Sequence, residues 1–416
     1  MSKTSVRKIK LGAEKNETGI NTVLTIMPPK CYFFQAWHKG KIFFTLIIIQ
    51  VVARRQYSTV MRHINKNPVK KGKIPFYKFK LFVAITLCFI MTSCNGQANN
   101  GYKQNVIKQT IQFPNLKDQI SDVVRTIFQD SKGNIWFGTQ NGAFRLTNDT
   151  LIHIDSIKSA LGKGVTIKDI TEDKNGIIWF GHTDGISSID GEKVSNYYES
   201  DGLISNDVWC ISSDAEGKIW IGTIEGICVF DRKNFVNFAL PEGIRDTTMG
   251  VSSTKMVHSI LRDSKGTMWF GTNAGLFSYA NNRLKNISDE VDIPTNFVNK
   301  LVEDKKGGFW VSTSKGLFHL KGDSLTNITE MHFEESKGTG SVIVDSKGDI
   351  WFNCSRSIYR LNGEKLTEYR IAEGNYGPLT FQIYEDQHSR LWFVGYGGAY
   401  RYENDGFINV TKNGPW

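Results

Sequence analysis

Acidic side chains are nearly missing from the first 93 residues, which hold 2 Asp or Glu against 17 Lys or Arg. Downstream the balance reverses: residues 94–416 carry 34 basic and 39 acidic groups, so the formal net charge of +10 averages two regions of opposite sign. No basic stripe remains in the larger part, which removes the argument for a nucleic-acid partner. Long hydrophobic runs are lacking too. The two uncharged, mostly apolar stretches, 42–53 and 81–91, have 12 and 11 residues, short of the roughly 20 that cross a bilayer as a helix. Cysteine is sparse, 6 in 416, and no H-E-x-x-H, P-loop, G-x-S-x-G or Cys-x-x-Cys motif occurs, so no metalloprotease, phosphate-loop, serine-hydrolase or dithiol chemistry is indicated. What is abundant is glycine, 39 residues, and aromatic side chains, 12% of the chain; together they indicate a turn-rich β protein with enough length to bury a sizeable core.

The apolar run 81–91 follows Arg62, Lys66, Lys70, Lys71, Lys73, Lys78 and Lys80. A basic region, a short apolar region and small residues beyond it are the parts of a secretory signal. Met91-Thr92-Ser93-Cys94 then resembles a bacterial lipobox, which implies cleavage before Cys94 and lipidation of its thiol. The polar stretch from Asn95 lacks the Asp that retains such lipoproteins in the inner membrane, so the resemblance implies an outer-membrane lipid anchor. The earlier run, 42–53, is awkward upstream of a complete signal. Translation from Met61 accounts for it, leaving residues 1–60 as a mis-annotated extension, 61–93 as the signal and 94–105 as a tether; a signal-anchor at 42–53 is the alternative.

From residue 118 the chain repeats with a period of about 40, the mark of a repeat architecture. Trp136, Trp179, Trp220, Trp269, Trp310, Trp351 and Trp392 each stand six residues after an Asp: Asp130, Asp173, Asp214, Asp263, Asp304, Asp345 and Asp386. Gly lies three residues before Trp in every copy except the last, where Ser389 replaces it. A second Gly lies six residues after Trp, with Ser357 the exception. Asp-Ser-Lys-Gly, at 130, 263 and 345, sets Asp first and Gly fourth in a type I turn, where the carboxylate can accept backbone N–H bonds. Apolar strands flank that turn, the second Gly turns the chain into a third strand, and an outer strand follows. Seven such units predict an all-β, seven-bladed β-propeller of four-stranded antiparallel blades over residues 106–416. For ring closure two segments compete: 106–113 and 406–411. The first is expected to pair with the last blade or extend its edge.

DSKGNIWFGTQNG, DAEGKIWIGTIEG and DSKGTMWFGTNAG resemble the two-component regulator propeller repeat, and the resemblance spans 118 to about 413. Such repeats are best known from the extracytoplasmic sensory part of hybrid two-component regulators. No kinase sequence follows in the chain given, so what the resemblance implies is ligand or partner sensing. It extends distantly to streptogramin-type lyases, which share a seven-bladed propeller.

The Trp residues are read as packing between blades. The turn Asp residues supply one or two carboxylates each, too few for the six to eight oxygens of a calcium site, so no metal and no cofactor is expected. Cys210 and Cys228 fall on the first and third strands of one blade with a strand between them, so they and Cys354 are expected to be free. By fold analogy, ligands of propellers meet one mouth of the central channel. Five residues after each Trp the ring reads Asn141, Asp184, Glu225, Ala274, Lys315, Arg356 and Gly397, which sets acid opposite base. With Tyr396, these define an expected polarised mouth for a zwitterionic, sugar-acid or peptide ligand; solvated turn charges are the plain alternative. The long loop 241–255 is placed to cover it partly. Two further classes stay open. One is a lyase acting on uronic-acid or lactone substrates, with His182 as general base, Glu225 orienting it and Lys315 or Arg356 holding an enolate. The other is a scaffold for an envelope protein.

Overall fold

A computed structural model describes residues 106–111, 118–244, 253–333, 337–371 and 379–416. The basic leader, the 42–53 run, Cys94 and the tether lie outside the described residues, as does the centre of the long 241–255 loop.

Seven blades follow one another in sequence, each with four consecutive strands in simple antiparallel order. The inner strands are Val124–Gln129, Ile167–Glu172, Val208–Ser213, Val257–Arg262, Val298–Glu303, Thr339–Val344 and Leu379–Glu385. The second strands, such as Ile135–Thr139 and Ile219–Thr223, carry the repeat Trp. The outer strands, such as Thr150–Ile154 and Gly406–Val410, complete each blade. The sequence predicts this seven-bladed architecture and the structure has it.

The repeated turn explains the invariant Asp. In Asp130, Oδ1 accepts the N–H groups of Lys132 and Asn134 at 3.0 and 2.8 Å, and Oδ2 accepts the Trp136 indole N–H at 2.8 Å. One carboxylate thus closes the turn and fixes the rotamer of the Trp on the next strand. The Gly at the fourth place has a left-handed backbone, with φ of 84° at Gly133; Ser389 adopts the same conformation, φ 57°, in the last copy.

Each Trp then packs on the following blade. Trp136 lies with Ile167, Ile170 and Phe180 of the second blade, Trp179 with Val208, Ile211 and Ile221 of the third, and Trp351 with Ile383 and Phe393 of the seventh. Trp392 packs against Val124, Ile127 and Phe137, so the last blade meets the first through the contact used all round the ring. The Gly two residues after Trp allows this closeness: a Cβ on Gly181 would come within 2.7 Å of Val208 Cγ1.

Closure differs from expectation. Ile107–Ile111 pairs in parallel with Lys365–Ile371, the outer strand of the sixth blade, making that sheet five-stranded. The fourth place of the last blade is already filled by Gly406–Val410, antiparallel to Gly398–Glu403. Val106 instead packs beside the Phe352, Leu361 and Leu366 cluster of the sixth blade. Among the described residues no strand from one chain end enters the blade of the other. The seam holds by isolated bridges, Gln119 to Thr411 and Val123 to Tyr396, and by side chains described below.

Candidate functional site: the central cavity

Every inner strand leaves regular pairing at the same place. Opposite the second strand, pairing jumps from Val124 to Thr126, Ile167 to Asp169, Val208 to Cys210, Val257 to Ser259, Val298 to Lys300, Thr339 to Val342 and Thr380 to Gln382. A bulge leaves the skipped residue unpaired and re-aims its side chain. The skipped residues are Arg125, Lys168, Trp209, His258, Asn299, Gly340 with Ser341, and Phe381, except for Ser341 all eleven positions before a repeat Trp. They line a cavity of about 400 Å³ to which all seven inner strands contribute.

At the next position three of the strands also tie the ring together. Asp169 Oδ2 accepts the Ile211 N–H at 3.0 Å, Ser341 Oγ the Ile383 N–H at 2.9 Å, and Gln382 Oε1 the Ile127 N–H at 2.8 Å. Each bond runs from one blade to the next. The Gln382 bond crosses the seam, where the same oxygen also accepts the Thr126 hydroxyl at 2.9 Å.

One arc of the wall alternates cations and rings. The Arg125 guanidinium carbon stands 4.6 Å from the Phe381 ring centroid and 5.8 Å from that of Trp209; Lys168 Nζ lies 3.9 Å over Trp209. Phe381 in turn meets Tyr396 at 5.0 Å between centroids, with the ring planes tilted by 53°. The Lys168 side chain, 8% exposed, pairs with Asp207. Burial lowers the Arg125 and Lys168 pKa values, with Asp207 pulling Lys168 back up. Arg125 makes no ion pair or hydrogen bond with another described residue, and Trp209 Nε1 is buried without a partner among them.

The rest of the lining is quieter. Burial raises the Asp169 carboxyl, and the charge of Lys300 and the N–H groups of Ile211 and Ile170 oppose this. His258 Nε2 meets Asn273 Oδ1 at 2.6 Å and burial lowers its pKa, so the ring adds no charge at neutral pH. Burial raises the Cys210 thiol, whose Sγ reaches Val257 O at 3.6 Å. Cys210, Cys228 and Cys354 are all free and buried, as the sequence indicates. Among the described residues no group of three or more His, Cys, Asp or Glu is arranged to hold a metal ion.

The residues singled out from sequence sit elsewhere. Asn141, Asp184, Glu225, Lys315 and Arg356 occupy the turns between second and third strands and are not among the cavity-lining residues. Asp184 Oδ2 accepts the Ala160 N–H at 2.8 Å. Tyr396, half exposed at the end of its strand, touches the cavity wall through Phe381. His182 is fully buried: Nε2 meets Ser187 Oγ at 2.9 Å, Nδ1 accepts the Asp184 N–H at 3.2 Å, and burial pushes its pKa down to about 3. It plugs the hairpin in place of the Thr found in other copies, where Thr139 Oγ1 donates to Gly142 O at 2.8 Å and accepts the Asn141 N–H at 3.0 Å. The cavity residues had a sequence signal of their own. Eleven residues before Trp, Arg, Lys, Trp, His, Asn, Gly and Phe succeed one another in a repeat whose turn and Trp columns scarcely vary.

Segments 118–141, 202–225, 250–274 and 292–315 match the family model described as two component regulator propeller. These four segments are similar to two-component regulator propeller repeats. No curated protein matches the chain. Among solved structures, the ring is similar to the extracellular domains of two proteins described as hybrid two-component systems, both from B. thetaiotaomicron. One has 20% identity and a TM-score of 0.54, covering 70% of this chain and 39% of that one. The other has 21% identity and a TM-score of 0.54, covering 70% and 41%. The chain thus spans about two fifths of the length of each. A virginiamycin B lyase from Staphylococcus aureus aligns at 15% identity and a TM-score of 0.52, over 70% of this chain and 96% of the lyase. Likeness at these identities concerns the fold. Among the described residues no helix is long and apolar enough to cross a membrane.

Proposed function

We propose that this chain is a sensory or accessory binding module that takes a small molecule, or the end of an oligosaccharide, into its central cavity. The observation that carries the reading is the column of skipped residues. Where the scaffold repeats itself seven times, the one position that faces the cavity from every blade carries a different residue in each of the seven copies. A cavity of about 400 Å³ with aromatic walls and a few polar groups suits a small ligand. The repeats and the neighbours described as extracellular domains support a place outside the cytoplasm, and the basic leader supports export with a lipid anchor at Cys94.

The test uses the purified full chain, screened by thermal shift against oligosaccharides, uronic acids and peptides at neutral pH, because a ligand of the native state raises its melting point. A shift lost in Trp209→Ala and kept in Asp184→Ala and Arg356→Ala supports the cavity. The reverse pattern moves binding to the polarised turns, and a shift kept in all three sinks both. For the anchor, incorporation of labelled fatty acid that persists in Cys94→Ala would remove that residue.

A second reading, docking of an envelope protein, draws on Leu161 and Ile244, 81% and 78% exposed in the loops that lead from one blade to the next. A protein partner predicts co-purification and no small-molecule shift.

A further inference from the structure

The structure assigns a carboxylate to the ligand: we infer that a carboxylate group docks edge-on to the Arg125 guanidinium at the seam between the first and last blades, with the ligand's body against Phe381 and Trp209. The inference rests on the reading of the cavity as the ligand site and names the chemistry that the site selects.

Three observations lead to it. Arg125 is half-buried in the wall and carries five N–H donors in a rigid plane, and its described neighbours on either side are ring faces. A ring face attracts a cation but offers no acceptor in the guanidinium plane, so the donors remain for something else. The planar fork matches two oxygens on one atom, the geometry of a carboxylate or a phosphate.

Charge decides between those two. Arg125, Lys168, Lys300 and Asp169 line the cavity, and Asp207 stands behind Lys168 as its ion-pair partner. Lys168 is paired with Asp207, and the charge of Lys300 acts on Asp169 without an ion pair between them. His258 is neutral. The balance is one net positive charge; Arg125 and Lys300 have no ion-pair partner among the described residues, and of the two only Arg125 presents a planar fork. A wall of net charge about +1 fits a monoanion, whereas a phosphate monoester would bring close to two negative charges near Asp169 and Asp207.

Position adds a consequence. Arg125 belongs to the first blade and Phe381 to the last, so a ligand held by both spans the seam that Gln382 and Thr126 close. Occupancy therefore stabilises the closed ring through mass action.

The experiment compares matched probes on the full chain, by calorimetry and by Trp fluorescence: glucuronate against glucose, benzoate against benzyl alcohol, and inorganic phosphate. The expected result is binding by at least one carboxylate, none by its neutral partner and weaker binding of phosphate. Arg125→Lys, which keeps the charge and loses the fork, is expected to weaken binding about tenfold or more, and Arg125→Ala to abolish it. Both variants are checked for an unchanged circular dichroism spectrum. If a neutral probe binds as tightly as its acid and ignores both variants, yet is lost in Trp209→Ala, the carboxylate assignment fails while the cavity reading stands. Carboxylate binding untouched by Arg125→Ala and Trp209→Ala overturns both, as does failure of every carboxylate to bind at millimolar concentration. Preference for phosphate overturns the charge argument.

Discussion

Gln382 in the last blade and Thr126 in the first share a hydrogen bond of 2.9 Å across the point where the chain closes on itself. The same Gln382 oxygen holds the Ile127 N–H, and Gln129 bonds onward to Gln387 and Tyr384. Side chains therefore do at the seam what a shared strand would do in a ring locked by both chain ends.

Gln382→Ala leaves the Ile127 N–H and the Thr126 hydroxyl without their acceptor. The expected cost is about 1–3 kcal/mol, read from the urea midpoint. Hydrogen exchange should rise first in the inner strands of the first and last blades. Equal protection loss in all blades would show that the seam is not the weak point.

The turn carboxylates predict the acid limb of stability. Burial alone would raise Asp173, Asp304 and Asp386. Hydrogen bonds from Trp179 and Arg232, from His319, and from Trp392 and Arg390 outweigh it and hold all three below the usual carboxylate value. Depressed native pKa values add stability that is complete above the unfolded value near 4 and disappears as pH falls through the native values. Urea midpoints should therefore drop steeply below about pH 4. In the fifth blade His319 Nε2, at 2.6 Å, takes the Asp304 Oδ2 that elsewhere receives an indole N–H. Asp304→Asn should flatten that limb; an unchanged slope would deny the carboxylate its role.

His182 predicts a second pH dependence, which begins below about pH 6.5. Its native pKa of about 3 lies below the unfolded value near 6.5. Stability from the neutral ring is thus complete above about pH 6.5 and erodes toward acid, because the unfolded chain binds the proton first. His258 and His332 act in the same direction. His182→Thr should remove about one proton from the difference between unfolded and native states between pH 6 and 4, measured from the slope of unfolding free energy against pH. No change of slope would place the ring in solvent.

Two tryptophans separate scaffold from site. Trp351, 1% exposed, packs on Phe393 and bonds to Asp345. Trp351→Ala should cost about 3–5 kcal/mol and change no specificity that survives. Trp209 is only partly buried and lines the cavity. Trp209→Ala should cost clearly less in a denaturation series and abolish ligand-induced stabilisation; a larger loss than at Trp351 would make it a core residue.

Much of the fold was legible because each repeat states its own local physics. Asp and Gly six and three residues before Trp specify a turn, the strand pattern specifies a blade, and the count of Trp in that Asp–Trp spacing specifies seven. The site was less legible. The turn column drew attention through its charges, but Asp184 and Arg356 stand on hairpin turns and not on the inner strands. His182 reads as a base from residue type alone, whereas burial and two hydrogen bonds make it a plug.

The sequence by itself determined the period, the blade number, the turn chemistry, the packing of Trp between blades and the charge break at residue 94, since these depend on local conformation and residue type. Tertiary structure decided the rest. A strand alternates faces every residue, so one bulged position per inner strand settles which side chain enters the channel. Arg125, Trp209 and Phe381 became neighbours only when the ring closed, and the pairing of Ile107–Ile111 with the sixth blade depended on which edge was left unfilled.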